Sequence, residues 1–377
     1  MRTLIFDESL SGHHLEYLHH YYMGACERPN VEYVICVPQG EFESKKDKYD
    51  WPKADNISFE WLSEEDCHAI LNTSGIKSGL AKAKRIVRYA KITKSEKVIL
   101  TNFMSTIPFL LWFADNGLYI KGIIYRIYLY NKLNTISAKL RYAVENFCYH
   151  LMAKSKVMDK VFILNDQKSA DRLNEMHHTG KFTFLPDPVP EVDMSKVKNI
   201  RQQFDIPMEK KVFLHFGGLA KRKGTLDIIN AIIMSDSETL SNKTFVFAGK
   251  VYQEMQDEFY ALVKEAKQKA HVLVFDEFCE YDFLYDMCYS CDVILAPYHQ
   301  TNLSSGLLGY AALFRKPIVG PGDGLIGNLI RDYQMGYCLP NVSALDISKS
   351  FTIDMVSRSK GYVEVNDVKQ FIKVVLS

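Results

Sequence analysis

The sequence has no apolar run near the ~20 residues that a membrane span requires. It has no repeat at solenoid spacing and no low-complexity tract, which excludes repeat arrays and disordered linkers. Neither charge is in excess. The net charge is +1, so bulk charge gives no case for a nucleic-acid partner. The first apolar run, in "MRTLIFDESLSG", is too short for a secretory signal and acids follow at once, so a cytoplasmic location is expected. Only one Cys-x-x-Cys pair occurs, Cys288 and Cys291. Without a second pair, zinc or redox chemistry is disfavoured, and the eight scattered cysteines read as reduced, structural thiols of an intracellular protein.

What is present is an ordinary globular composition on a long chain. A single core seldom grows beyond about 250–300 residues, so 377 residues predict two domains. Runs rich in Val, Ile and Phe recur between helical stretches. In the first half they fall at 3–6, 31–37, 58–62, 98–101, 123–130, 161–165 and 181–186; in the second at 211–217, 244–249, 271–278, 292–298, 316–322 and 336–340. Several are apolar throughout, as parallel strands buried on both faces must be. Strands alternating with helices predict an α/β fold of two Rossmann-like, doubly wound domains. The three prolines of "LPDPVPEVDMSK" (185–196) stop regular structure between the halves. The expected domains are 1–190 and 191–360, with 361–377 a final helix. Ligands of such sheets bind beyond the carboxyl ends of the strands, so a cleft between the two carboxyl edges is expected.

Three loops carry candidate chemistry. In "FDESLSGHHLEYLHHYY" (6–22) a strand leads through Gly12 to a helix mouth at His13, while His19 and His20 read as surface residues. In "LHFGGLAKRKGTLDIINAI" (214–232) the pair Gly217 and Gly218 allows close backbone approach, and Lys221, Arg222 and Lys223 precede a helix start. Glycine turn, cations and helix dipole together describe a diphosphate site; the alternative is a solvated basic loop. In "HQTNLSSGLLGYAALFRKPIVG" (299–320) Ser304 or Ser305 would cap a helix, leaving the amides near Gly306 and Leu307 to face a phosphate.

With these loops in place, the second half resembles the donor-nucleotide domain of GT-B retaining glycosyltransferases, family four most of all. The resemblance is most specific at 217–224 and from Asp292 to Gly336, and "LPDPVP" resembles the turn that ends the family's first domain. It implies a nucleotide-sugar co-substrate, UDP- or GDP-linked, with no metal and no other cofactor. It implies that Lys223 contacts the diphosphate and that Phe278 lies by the base. The family's arginine place holds Gly218. Its two glutamates fall at Asn302, toward the donor sugar, and Tyr310, toward the ribose. His13, Lys223 and Asn302 are then the candidate catalytic residues, with Gly12, Gly217, Gly218, Arg222, Phe278, Ser304, Ser305, Gly306, Leu307 and Tyr310 binding the donor. The activity implied is hexosyl transfer to a glycan or lipid-linked acceptor in surface polysaccharide assembly. A GT-B protein that binds without turnover, and a nucleotide-sugar epimerase using Asp7, His13 and Asp187, are the alternatives.

One charge cluster stands out. Residues 76–97 hold eight cations against Glu96, with Leu80, Ala83, Ile86, Val87 and Ala90 at helical spacing. A basic amphipathic helix of this kind fits either peripheral contact with the inner face of a membrane or an ordinary outer helix. Arg126 and Tyr128 are expected on the strand at 123–130; that this strand brings them near the cleft is the less favoured reading.

Overall fold

In the computed structural model, which describes residues 2–115 and 117–377, the β-branched and aromatic runs become strands of two parallel sheets. The chain divides into two units, Met1–Pro186 with Val368–Ser377, and Asp187–Asp367. Within the second unit Asp187 and Asn366 are joined, the Asp187 amide donating to the Asn366 side-chain carbonyl at 2.8 Å.

The first sheet contains β1 (Arg2–Phe6), β2 (Glu32–Pro38), β3 (Ile57–Leu62), β4 (Lys97–Leu100), β5 (Tyr119–Ile124), β6 (Met158–Leu164) and β7 (Phe182–Leu185), in the order β3-β2-β1-β4-β5-β6-β7. β1 pairs with β2 on one side and β4 on the other, so the winding reverses there. On one face the helix Gly75–Ile92 buries Ala83, Ile86, Val87 and Ala90 against Leu4, Phe6 and Leu100. On the other face lie the helices His14–Cys26 and Val368–Val375. Phe371 of the latter packs 5.0 Å from Tyr17 and 5.7 Å from Tyr21.

The basic cluster at 76–97 is half spent inside this unit. Lys82 is buried and bound to Glu8 and the Asn102 carbonyl. Arg85 and Arg88 each lie 3.0 Å from the buried carboxylate of Asp66, and Lys91 lies 3.0 Å from Asp115. Two further expectations fail here. The strand placed at 123–130 ends at Ile124, and Tyr128–Tyr130 is a 3-10 turn; Arg126 turns aside to Glu145 at 2.9 Å. His20 is buried rather than on the surface, because its place on the helix faces Phe371.

The second sheet contains β8 (Lys211–Phe216), β9 (Lys243–Ala248), β10 (His271–Phe275), β11 (Val293–Leu295), β12 (Ile318–Pro321) and β13 (Gly336–Leu339), in the order β10-β9-β8-β11-β12-β13. Phe213, Phe245 and Phe351 fill one side of it, with Ile228 and Ile232 of the helix Thr225–Met234. Strands β10 and β11 are shorter than the apolar runs that encode them, since Glu277–Phe278 and Ala296–Tyr298 lie in loops. Among the described residues, no helix is long and apolar enough to cross a membrane.

Candidate functional site

In the second unit the winding reverses between β8 and β11, and the crevice beyond their carboxyl ends is where such a sheet binds ligands. The loops after both strands meet there. The amide of His299 donates to the Arg222 carbonyl at 2.9 Å, and the His299 ring reaches Asp227 at 2.8 Å. Gly224 has φ 72°, and a methyl group there would lie 2.2 Å from the Pro297 carbonyl oxygen. Only glycine permits both the left-handed backbone and that approach. A methyl group at Gly249, after β9, would sit 2.1 Å from the Gly217 carbonyl oxygen. The glycines therefore let three loops close on one spot.

The basic turn Lys221–Lys223 stands at that spot, just ahead of the helix Thr225–Met234 and its positive dipole end. Its three cations differ. Lys221 is spent on Glu258 at 2.8 Å. Arg222 is exposed. The half-buried Lys223 has no carboxylate partner among the described residues; its ammonium lies 5.5 Å over the Tyr298 ring and 3.0 Å from where a Gly217 methyl would be. A cation held over an aromatic face beside bare glycine backbone is poised to take an anion.

His215, which sequence reasoning missed, ties this region together. Its Nδ1 lies 2.8 Å from the Leu295 carbonyl of β11, and its Nε2 lies 2.9 Å from the Thr225 hydroxyl at the helix start. Burial lowers its pKa to about 4, so the ring is neutral and can donate through one nitrogen while accepting through the other. The only signal in the sequence is a histidine inside the apolar strand "KVFLHF".

The segment after β9 was also missed. Lys250–Glu254 line an open cavity of ≈ 680 Å³, in the size range of small-molecule sites. Tyr252 in this segment covers Gly218, where an added methyl would lie 3.0 Å from the Tyr252 Cε1. Asp276 anchors the segment, accepting from the Val251 amide and the Tyr260 hydroxyl, each at 2.8 Å.

The Ser-Ser-Gly stretch behaves differently from expectation. Its helix is Leu307–Leu313, with Gly306 at the cap position and no side-chain cap bond. Ser304 donates instead to the Asp187 carboxylate at 2.6 Å, because the linker carries that acceptor to it. Leu307 is buried, and Ser305 accepts the Leu308 amide through its backbone. Asn302 is half-buried beside them. Tyr310 is buried, with Phe216 5.3 Å away edge-on and Tyr285 stacked at 5.7 Å, so its ring is a packing element. Phe278 is 68% exposed, after the end of β10.

Gly12 and His13 belong to the first unit. Gly12 has φ 61°, and His13 caps the helix His14–Cys26 through its backbone position, with its ring outward and 3.5 Å from Glu16. The neighbouring His14 is held by Asp7, its Nδ1 lying 2.7 Å from the fully buried carboxylate. Burial alone would lower the His14 pKa, but the hydrogen bond and charge of Asp7 outweigh it and raise the value. Cys288 and Cys291 are buried with thiol pKa values pushed up by burial. No group of three or more His, Cys, Asp or Glu able to hold a metal occurs among the described residues.

Residues 196–353, within the second unit, match the family model for glycosyl transferases group 1. No curated protein matches the chain in sequence. Among solved structures it is similar to HepE of Anabaena in complex with UDP and glucose, with a TM-score of 0.67 and 15% identity over 100% of this chain and 98% of that one. It is similar to WaaG, a glycosyltransferase involved in lipopolysaccharide biosynthesis, with the same score, identity and coverage. A glycosyltransferase from Rickettsia africae has a TM-score of 0.62 at 12% identity, over 99% of this chain and 91% of that one. At such identities the structures speak to fold: the chain has a GT-B-like pair of parallel-sheet units, and its residues 196–353 are similar to the group 1 glycosyl transferases.

Proposed function

We propose that the protein transfers a hexose, with retention, from a nucleoside diphosphate sugar to a glycan or lipid-linked acceptor in surface polysaccharide assembly. The observation that carries the donor site is Lys223, an unspent ammonium at the β8/β11 reversal beside a helix start and bare glycine backbone. The donor diphosphate lies against Lys223 and the amides of 217–224, with Arg222 at its exposed side. As the bond from the sugar C1 to the diphosphate breaks, negative charge grows on the leaving oxygen, and Lys223 stabilises it. The acceptor hydroxyl forms the new bond to C1 and passes its proton to the departing phosphate. No metal is required by this scheme. HepE binds UDP and UDP-glucose, which supports a uridine donor, with guanosine the other candidate.

Tyr252 over Gly218 and the packed ring of Tyr310 also fit a second reading, nucleotide binding without turnover, because neither place offers a charged side chain. Calorimetric titration with UDP, GDP and ADP tests the donor site, and release of nucleotide from the matching sugar donor tests turnover. Micromolar binding of one nucleotide, weakened at least about tenfold in Lys223→Ala, is expected. Binding of none of the three refutes both readings; binding without turnover selects the second.

A further inference from the structure

The loop 296–306 follows β11 and starts beside the basic turn Lys221–Lys223. Its first half is fixed through backbone. The His299 amide donates to the Arg222 carbonyl at 2.9 Å, and the Thr301 carbonyl accepts the Leu325 amide at 2.7 Å. Its second half, Asn302 to Gly306, is fixed by a side chain from far along the chain. The Ser304 hydroxyl donates to the Asp187 carboxylate at 2.6 Å. A hydrogen bond to an ionised acceptor is roughly twice as strong as a neutral one. Both residues are half-buried, which limits competition from water.

Asp187 is itself held. It is the first residue of the second unit, and Asn366, next to the last residue of that unit, binds it. Asn366 is fully buried and makes three bonds. Its side-chain carbonyl accepts the Asp187 amide at 2.8 Å, its backbone carbonyl accepts the Val189 amide at 2.9 Å, and its Nδ2 donates to the Tyr362 carbonyl at 3.1 Å. The helix Leu307–Leu313 rests on the same segment. A methyl group added at Gly309 would lie 3.4 Å from the Pro190 Cδ and 3.5 Å from the Val189 Cα, so the helix backbone packs directly on 189–190. The two ends of the unit thus form one braced segment, and Ser304 joins the loop to it.

We propose that Asp187 is a positioning residue of the donor site, holding the loop 302–306 through Ser304 in the arrangement that receives the nucleoside diphosphate. This rests on the donor-site reading above. Asp187 acts on the donor only through the loop. Without the Ser304–Asp187 bond the loop samples several arrangements, and apparent affinity falls by the fraction that stays competent.

The test is calorimetric titration of the full chain with UDP, GDP and ADP, in wild type, Ser304→Ala, Asp187→Ala, the double variant and Asp187→Asn. Amide hydrogen exchange of 302–306 is followed in the same proteins without nucleotide. Each alanine variant is expected to weaken binding at least about fivefold, and the double variant no further, because both remove one bond. Asp187→Asn keeps an oxygen that accepts from Ser304, and is expected to stay within about threefold of wild type. The amides of 302–306 are expected to exchange faster in both alanine variants while the sheet amides do not. Wild type that binds none of the three nucleotides removes the donor site and this proposal with it. If wild type binds, alanine variants of unchanged affinity, or single losses that multiply in the double variant, overturn the positioning role and leave the donor site standing. Weakened binding with unchanged exchange also overturns it, since Ser304 and Asp187 would then contact the donor directly.

Discussion

The Lys223 ammonium lies 5.5 Å over the ring of Tyr298, and through this contact the β11 loop holds the cation of the β8 loop in place. Tyr298 is buried and touches the donor only through Lys223 in this scheme, so it is a positioning residue. Tyr298→Phe keeps the aromatic face and should leave nucleotide affinity within about twofold. Tyr298→Leu removes a contact of about 0.5–2 kcal/mol and should weaken binding several-fold. Lys223→Ala should cost about 2 kcal/mol or more in transition-state stabilisation, read as kcat/KM for donor turnover. Equal affinities for Phe and Leu at 298 would show that the ring does not position the lysine.

Glycines with similar backbone angles should respond differently to alanine. At Gly12, φ is 61° and no atom lies within 4 Å of the added methyl. Gly12→Ala should cost about 1–2 kcal/mol, the left-handed penalty alone. At Gly224 the methyl also meets the Pro297 carbonyl oxygen at 2.2 Å. Gly224→Ala should therefore destabilise by more than Gly12→Ala and should abolish nucleotide binding as the two loops part. Urea unfolding midpoints and calorimetry on both variants decide this.

Three histidines give opposite pH signatures. Burial lowers His20 and His215 to about 4, so both stay neutral in the folded protein while an unfolded histidine protonates below about 6.5. Stability is then intact above pH 6.5 and falls as pH drops toward 4, by up to roughly 3 kcal/mol per ring. His14 has the reverse sign. Asp7 raises its pKa despite burial, so its contribution is full below about 6.5 and is lost as pH rises through the folded value. The stability difference between wild type and His14→Gln should shrink from pH 6 to pH 8 in urea titrations. A difference that grows with pH would contradict the His14–Asp7 pairing.

Asp66 gathers Arg85, Arg88 and the Tyr89 hydroxyl, the last at 2.8 Å, around a buried carboxylate. Its pKa is lowered, because these hydrogen bonds and cations outweigh the effect of burial. Asp66→Ala would leave two guanidinium groups and a hydroxyl without their acceptor, and should cost about 3 kcal/mol in urea unfolding.

The sequence by itself determined the architecture. Apolar runs such as "KVFLHFG" and "DVILAPY" can be satisfied only inside parallel sheets, and the prolines at 186, 188 and 190 admit no regular structure where the two halves join. It also marked the glycine and lysine loop at 217–224, because glycine and charge act locally and leave a local signature. It could not show what depends on partners far along the chain. Ser304 reads as a helix cap until Asp187, 117 residues away, takes its hydroxyl. His215 reads as a stray polar residue in a strand until Leu295 and Thr225 meet it. The segment 76–97 reads as a basic amphipathic helix, at a membrane or packed outside the unit, until Glu8, Asp66 and Asp115 pair with half of its cations. Local backbone preference and periodicity are properties of short stretches, whereas pairing and burial are decided by which distant residues the sheet order brings together.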